Sequence, residues 1–574
     1  MSPLSLALAS LVALVGSSLP AAGAPVARPL EPQEAKAAPV LFRGGKILLN
    51  DGKGTVAEAL LCVDGKVSAV GRLQDLEKLP DAARASRVDL LGAVAVPGLQ
   101  DAHGHVVSYG NSLVEIDLRE CKSYDEMIGR VAERASQSKE GAWILGRGWD
   151  QNLWPEKEFP VHAKLSEKTP KNPVFLTRVD GHAAIANQTA LAAAKIDVPY
   201  EKEPKIAGGR LLVANGRATG VLVDEAMGLV QKCIPAPDAQ TIQARILAAQ
   251  ARLLAFGLTC VHDMGTTRAE LDVLKDMRAR NRLKIRIVSY LAGTEGLDDK
   301  MLADLPLRPD PLDLLSCSGV KLIADGALGS RGAALLADYS DAPGERGHMV
   351  LDEKALSARL AVCWAHRLQP AIHAIGDRAN RIVLDVYDTL ETVYPEAKEL
   401  RPRIEHAQVV SLKDWPRFPK LGVVPSMQPV HAISDMPWAV ARLGKERIRG
   451  AYAWRALAPE LRLLAFGSDF PVESPDPIAG LYAARARVDP QPAAPSDGAP
   501  PRNDALDGAS ALAGFTSGAA YACHQEDRRG RLMPGYGCDI TVMDVDPVTC
   551  DPAALKSAHA LMTVVNGEIV WRAR

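Results

Sequence analysis

From Val40 onward apolar and polar residues alternate, in Val40-Leu-Phe-Arg-Gly-Gly-Lys-Ile-Leu-Leu and again in Ala59-Leu-Leu-Cys-Val-Asp-Gly-Lys-Val-Ser-Ala-Val. Period-two alternation around an Asp-Gly pair predicts β-hairpins. The same texture returns at the far end, in Cys538-Asp-Ile-Thr-Val-Met-Asp and Thr563-Val-Val-Asn-Gly-Glu-Ile-Val-Trp. Short strands at both ends of a long middle predict one small β-sandwich domain assembled from residues 40–97 and 525–574.

The middle, residues 98–524, has another rhythm: short apolar runs that stop abruptly at polar residues, each followed by an amphipathic stretch of helical length. That is alternating β and α. Eight such runs can be counted: Gly92-Ala-Val-Ala-Val before His103 and His105, Leu258-Thr-Cys-Val before His262 and Asp263, Ile285-Arg-Ile-Val-Ser-Tyr, and Gly319-Val-Lys-Leu-Ile-Ala-Asp. The others are Pro370-Ala-Ile-His-Ala, Arg403-Ile-Glu-His, Val423-Val-Pro-Ser-Met-Gln and Leu464-Ala-Phe-Gly-Ser-Asp. Eight parallel strands with helices between them predict an α/β fold, a (β/α)₈ TIM-like barrel, whose chemistry gathers at the C-terminal strand ends. The stretch between the first two runs is far longer than a βα connection requires, so an insertion is expected at about residues 110–245. It carries apolar runs of its own, such as Trp143-Ile-Leu-Gly and Val174-Phe-Leu-Thr, and should be an ordered subdomain or lid.

A chain of 574 residues exceeds what one ordinary core needs, consistent with a large domain and a smaller one. Charged residues make up 24% and the formal net charge is -2, which supplies no field for polyanions and argues against a nucleic-acid partner. A small-molecule substrate is expected instead, with a homodimer as the one assembly considered. Residues Leu4 to Leu19 form an apolar run broken only by small residues, followed by Pro20-Ala-Ala-Gly-Ala. That order predicts a secretory signal peptide over residues 1–24, a flexible leader over 25–39, and an exported protein, periplasmic or extracellular, without a stable membrane anchor. The alternative, a buried N-terminal helix, is disfavoured because nothing after Pro20 continues a helical period. N-terminal sequencing of native protein should find a mature start at Ala24 or Pro25; a cytosolic chain beginning at Met1 would exclude export. The nine cysteines lack CxxC pairs, which excludes a zinc ribbon, and no disulfide is assigned. A Pro-rich segment over 489–504 reads as a surface loop.

The candidate chemistry sits at the ends of the runs. His103 and His105, two apart, can project to one side of a strand end, and Gly104 between them is small. Such a pair alone is weak evidence. His373, His406 and Asp469 end the fifth, sixth and eighth runs, and core packing would scatter these residue types rather than align them. Lys321 lies inside an apolar run, where an unpaired ammonium costs several kcal/mol. An ion pair with Asp325 or Glu405 is one explanation. Carboxylation of the amine by CO₂, giving an anionic bridge between two metals, is the other.

Together these stretches resemble the amidohydrolase superfamily, specifically the amidohydrolase-3 branch that includes N-substituted formamide deformylases. The matching stretches include Val96-Pro-Gly-Leu-Gln-Asp-Ala-His-Gly-His, Gly257-Leu-Thr-Cys-Val-His-Asp-Met-Gly, Val320-Lys-Leu-Ile-Ala-Asp-Gly-Ala-Leu-Gly-Ser-Arg, Arg403-Ile-Glu-His-Ala and Phe466-Gly-Ser-Asp-Phe-Pro. The resemblance implies a paired site: His103, His105 and Asp469 on one divalent ion, His373 and His406 on another, and carboxylated Lys321 bridging them. Zinc is the first choice. It also implies amide or formamide C–N hydrolysis, with the ions bringing a water's pKa towards neutrality and Asp469 as the catalytic proton carrier. Trp149, Asp180 and His182 in the insertion, and His262, Asp325 and Gln428 at strand ends, are candidate substrate-binding residues, with Asp150 and His431 beside them. Two other readings stand next to this one: hydrolysis of a cyclic amide, lactone or other ester on the same site, and a non-catalytic binding protein retaining the fold.

Overall fold

The computed structural model describes residues 38–573 apart from 120, 179–182, 207–208, 308–312, 461–462 and 488–503. The expected signal peptide, nearly all of the leader, Asp180, His182 and all but the last residue of the Pro-rich segment lie outside the described residues. Among the described residues no helix is long and apolar enough to cross a membrane.

Eight parallel strands form the barrel: Leu99–Gly104, Leu258–Thr266, Arg286–Ala292, Leu315–Ile323, Gln369–Ala374, Arg403–His406, Val424–Met427 and Ala465–Phe466. Each neighbours the next in sequence order. Closure between the first and last rests on an isolated bridge from Gly104 to Phe470. Around it, the Asp469 N–H donates to the His103 carbonyl at 2.7 Å, and the His105 N–H donates to that of Phe470 at 2.9 Å. The barrel is thus fastened at the level of its candidate metal ligands.

Seven of the eight expected strands fall where the apolar runs placed them; the first does not. The run around Val94–Pro97 belongs to the small domain, pairing with Val40–Leu48 on one side and Ile540–Met543 on the other. The first barrel strand is Leu99–Gly104, which carries Gln100 and Asp101 into the interior. Both make buried hydrogen bonds there. Gln100 donates to the Thr516 carbonyl, and Asp101 accepts from the His103 N–H, the Ser468 N–H and the Ser468 hydroxyl.

The two ends of the chain build the small domain as expected. Hydrogen bonds run continuously through one sheet in the order Glu568–Arg572, Ala560–Val565, Ile540–Met543, Val94–Pro97, Val40–Leu48, Val56–Val63 and Lys66–Gly71, so the strands of the sandwich form one unbroken sheet. Phe42, Leu60, Val67, Ile540 and Val564 share one core, while Leu41, Ala59 and Leu61 pack against Leu76 and Ala82. The Asp64-Gly65 and Asn566-Gly567 hairpin turns have positive φ at both residues (50° and 76°, 51° and 75°), the conformation that matches strand twist.

The insertion is ordered. Its six-stranded sheet runs Gly209–Ala214, Arg217–Asp224, Ala183–Ala186, Val174–Arg178, Ile144–Trp149 and Ile116–Asp117. The helix Ala239–Ala255, N-capped by Asp238, then leads back into the second barrel strand.

Candidate metal centre

Four imidazoles, one carboxylate and one amine converge at the C-terminal mouth of the barrel. The ligand atoms of His103, His406 and Asp469 lie within 4.8 Å of one another, and all three residues are buried. His105 joins them through Nε2, 3.0 Å from Asp469 Oδ1. The His373 ring is centred 4.5 Å from that of His406. Lys321 Nζ stands 3.3 Å from His103 Nε2. All six expected ligands are therefore brought together, although the tightest trio cuts across the two sets that the sequence suggested.

The backbone is committed to this arrangement. His406 and Asp469 both adopt left-handed φ, 70° and 61°, a conformation that costs a non-glycine residue energy. Gly467 is obligatory, because a Cβ there would sit 2.5 Å from Asp101 Oδ1 and from the His103 nitrogen. Gly104 serves a different purpose from the expected one. A Cβ at that position would lie 2.2 Å from the Phe470 ring, so the glycine admits the closing segment.

Electrostatically the imidazoles are suited to metal. Burial pushes His103 down to about 4 and His373 to about 3, and drives His406 well below the ordinary histidine range, so these rings are neutral at pH 7 with lone pairs to offer. His103 Nδ1 faces Glu405 Oε2 at 2.6 Å and His406 Nδ1 faces Gln428 Oε1 at 2.8 Å. Each acceptor fixes the proton on Nδ1 and leaves Nε2 free, the arrangement typical of metal-binding histidines. Burial works against ionisation of Asp469, yet the hydrogen bond from His105 and the neighbouring imidazoles hold its carboxyl well below the usual range. Burial lowers the Lys321 ammonium to about 8. Among the described residues no carboxylate lies within ion-pair distance of it. Asp325 accepts instead from the N–H groups of Ala334, Ile375 and Gly376, and Glu405 is held by Arg403 and His103. The donor set therefore fits divalent metal: three neutral imidazoles, a fourth beside Asp469, an ionised carboxylate, and an amine with no carboxylate within ion-pair distance among the described residues.

The other expected site residues fare differently. Trp149 is fully buried in the insertion, stacked on Trp154 and donating to the Leu176 carbonyl, so it packs the insertion core and is not available to a substrate. Asp150 pairs with Arg178. His262 is buried inside the barrel, where its Nδ1 accepts from Arg403, and Asp325 spends both oxygens on backbone N–H groups. Among the described residues His262 Nε2 has no hydrogen-bond partner, and Asp325 Oδ1 lies 3.6 Å from His373 Nε2. Gln428 orients His406. His431 stacks on His406 with ring centroids 6.2 Å apart and, with Gln408, Gln428 and Tyr452, lines a cavity of about 10 Å³, room for a single water. Asp101 and Arg403 were not among the expected site residues, and Glu405 was expected only as a partner for Lys321. Their signal was available: each is a charged residue two positions from another polar one, hence on the same face of its strand.

The barrel is that of a family of metal-dependent hydrolases, and the chain belongs to it: the amidohydrolase family model matches residues 87–571. A putative amidohydrolase, YtcJ of Bacillus subtilis (strain 168), is 30% identical over 92% of this chain and 99% of its own. The N-substituted formamide deformylase of Arthrobacter pascens is 24% identical over 90% of this chain and 95% of its own. The solved structure of an uncharacterised metal-dependent hydrolase from Pyrococcus horikoshii OT3 superposes with a TM-score of 0.75 at 29% identity, covering 90% of this chain and 99% of that one.

Proposed function

We propose that the protein hydrolyses an amide or formamide C–N bond of a small molecule, using two divalent ions, zinc by preference. The observation that carries this reading is the convergence of His103, His406 and Asp469 within 4.8 Å, with His105, His373 and Lys321 around them. A relative that deformylates N-substituted formamides supports the choice of bond. His103, His105 and Asp469 would hold one ion and His373 and His406 the other, with Lys321, carboxylated by CO₂, between them. When bound, the metals lower the pKa of a water and polarise the substrate carbonyl.

The chain's own groups do the rest. Without metal, His105 Nε2 and Asp469 Oδ1 lie 3.0 Å apart; with both residues turned to the ion, the Asp469 oxygen not used as a ligand would take the proton of the attacking water and return it to the departing nitrogen. Gln428 and Glu405 keep the lone pairs of His406 and His103 turned into the site. Lys321, buried and without a carboxylate partner, gains one by carboxylation; its lowered pKa keeps part of the amine unprotonated and reactive towards CO₂.

Metal analysis of protein purified without chelator should give close to two divalent ions per chain. A ratio near one that does not rise with added zinc and bicarbonate would assign a mononuclear site and an ordinary lysine. A screen of N-formyl, N-acyl amino acid, hydantoin and lactone substrates tests the bond. Turnover of an N-formyl or N-acyl compound is expected, and lactone turnover alone would move the assignment to ester hydrolysis.

A further inference from the structure

Beneath the metal centre lies a buried polar network in which a single arginine reaches across the barrel axis. Arg403, on the sixth strand, is fully buried. Its Nε donates to Glu405 Oε1 at 2.7 Å and its Nη2 to Glu405 Oε2 at 3.0 Å, a forked ion pair within one strand. Nη2 also reaches the Ala102 carbonyl of the first strand (2.8 Å) and the Ser426 hydroxyl of the seventh (2.9 Å). Nη1 donates to His262 Nδ1 of the second strand (2.9 Å) and to the Tyr290 hydroxyl of the third (3.0 Å). Tyr290 passes the chain on to Gln369 of the fifth at 2.6 Å. Six of the eight strands are thereby tied to one guanidinium.

The cluster has a directed output. With Oε1 committed to Arg403, Glu405 turns Oε2 to His103 Nδ1 at 2.6 Å. A carboxylate can only accept, so the His103 proton must sit on Nδ1 and its Nε2 lone pair must face Asp469, 3.4 Å away, and Lys321. Only a planar fork can hold both carboxylate oxygens while reaching the four other acceptors; a lysine could not.

We infer that Arg403 and Glu405 form a positioning pair for metal uptake: Glu405 fixes the tautomer and aim of His103, and Arg403 fixes Glu405 against the barrel wall. This rests on the metal-dependent reading above. Neither residue touches substrate or ion.

The test measures zinc affinity by chelator competition on the full chain, alongside circular dichroism and thermal melting of the metal-free forms. Glu405→Gln presents an amide whose NH₂ either faces His103 and demands the wrong tautomer, or faces Arg403 and breaks the fork. Zinc affinity should fall about 10- to 100-fold, the usual consequence of losing such a partner. Glu405→Asp keeps the buried charge, and so the fold, but withdraws the carboxylate from His103 by one methylene; at least a several-fold loss is expected. Ser426→Ala removes an acceptor from Arg403 without touching Glu405 and should stay within threefold of wild type. A purely structural pair would lower the melting temperature and leave the zinc affinity of folded protein unchanged. The inference is overturned if Glu405→Asp, folded, binds zinc within threefold of wild type. Should wild type itself take up no zinc, the metal-dependent reading fails along with it, an outcome visible before any variant is compared.

Discussion

Asp469→Asn is expected to lower kcat by roughly two to four orders of magnitude, the usual worth of a positioned acid–base group, while metal content falls only modestly. The substitution isolates chemistry from shape. Asn has the size of Asp and tolerates left-handed backbone, so the φ of 61° at this position is kept at little cost. The backbone bond from residue 469 to the His103 carbonyl, which helps close the barrel, involves no side chain. The carbonyl oxygen of Asn can still meet His105, but the amide has no basic oxygen to receive a proton. The measurement is kcat on the best substrate of the screen, with metal content determined on the same samples. Full metal with more than about a tenth of the activity, far short of the 10²-fold loss expected of a general base, would remove Asp469 from that role. His262 and Asp325, two other strand-end groups, are engaged elsewhere, one with Arg403 and the other with three backbone N–H groups.

The largest single effect on stability should come from Arg286→Met. Arg286, on the third barrel strand, donates from Nε and Nη2 to the two oxygens of Asp539 at 2.7 and 2.8 Å, and from Nη1 to the Asp313 carbonyl. Both side chains are nearly inaccessible, at 2% and 9% exposure, and the pair joins the barrel to the segment entering Ile540–Met543 of the small domain. Removing one partner strands a buried carboxylate, at a cost of about 3–5 kcal/mol. Equilibrium urea denaturation should register the loss, and a change under about 1 kcal/mol would mean that water reaches Asp539 freely. The pH dependence gives a second check. Although burial opposes it, Arg286 holds the Asp539 carboxyl below its ordinary value. The pair's contribution is therefore present above about pH 4, the unfolded value, and is lost as pH falls through the lower folded value. In the variant an unpaired buried carboxylate prefers its proton, so the deficit relative to wild type should be greatest at neutral pH and shrink on acidification.

Much of the barrel was readable because its strands are buried on both faces and end sharply in polar residues, as in Gln369–Ala374 with His373 and Arg403–His406 with Glu405. The first strand was misplaced for the same reason. Val94–Pro97 is also buried throughout, in the small domain's sheet, and periodicity cannot separate two kinds of fully buried strand. The real strand, Leu99–Gly104, looked too polar because the acceptor of the Gln100 amide and the Ser468 donors to Asp101 come from residues more than 350 positions away. The metal ligands were legible as residue types at strand ends. What orients them was not, since a buried charge such as Arg403 finds its partners across the barrel, on strands that sequence spacing does not connect. Trp149 shows the converse error: an aromatic beside Asp150 in a lid-like insertion looked like a substrate contact, and it is the insertion's own packing centre.

The pairing of the two chain ends has a consequence for how the protein comes into being. Val96 lies beside Thr541 in the small domain's sheet, and the Leu99 N–H donates to the Thr541 hydroxyl 442 residues further along. The first barrel strand therefore leaves a sheet whose neighbouring strand is synthesised only after all eight barrel strands. The Gly257 carbonyl, at the entrance to the second strand, likewise waits for that hydroxyl. Contacts of such sequence separation form late and slowly, because the intervening chain must be ordered before they are rewarded. Until residue 541 has emerged, the Leu99 N–H and the Gly257 carbonyl lack this partner, and the nascent chain depends on whatever shields incompletely folded segments in its compartment.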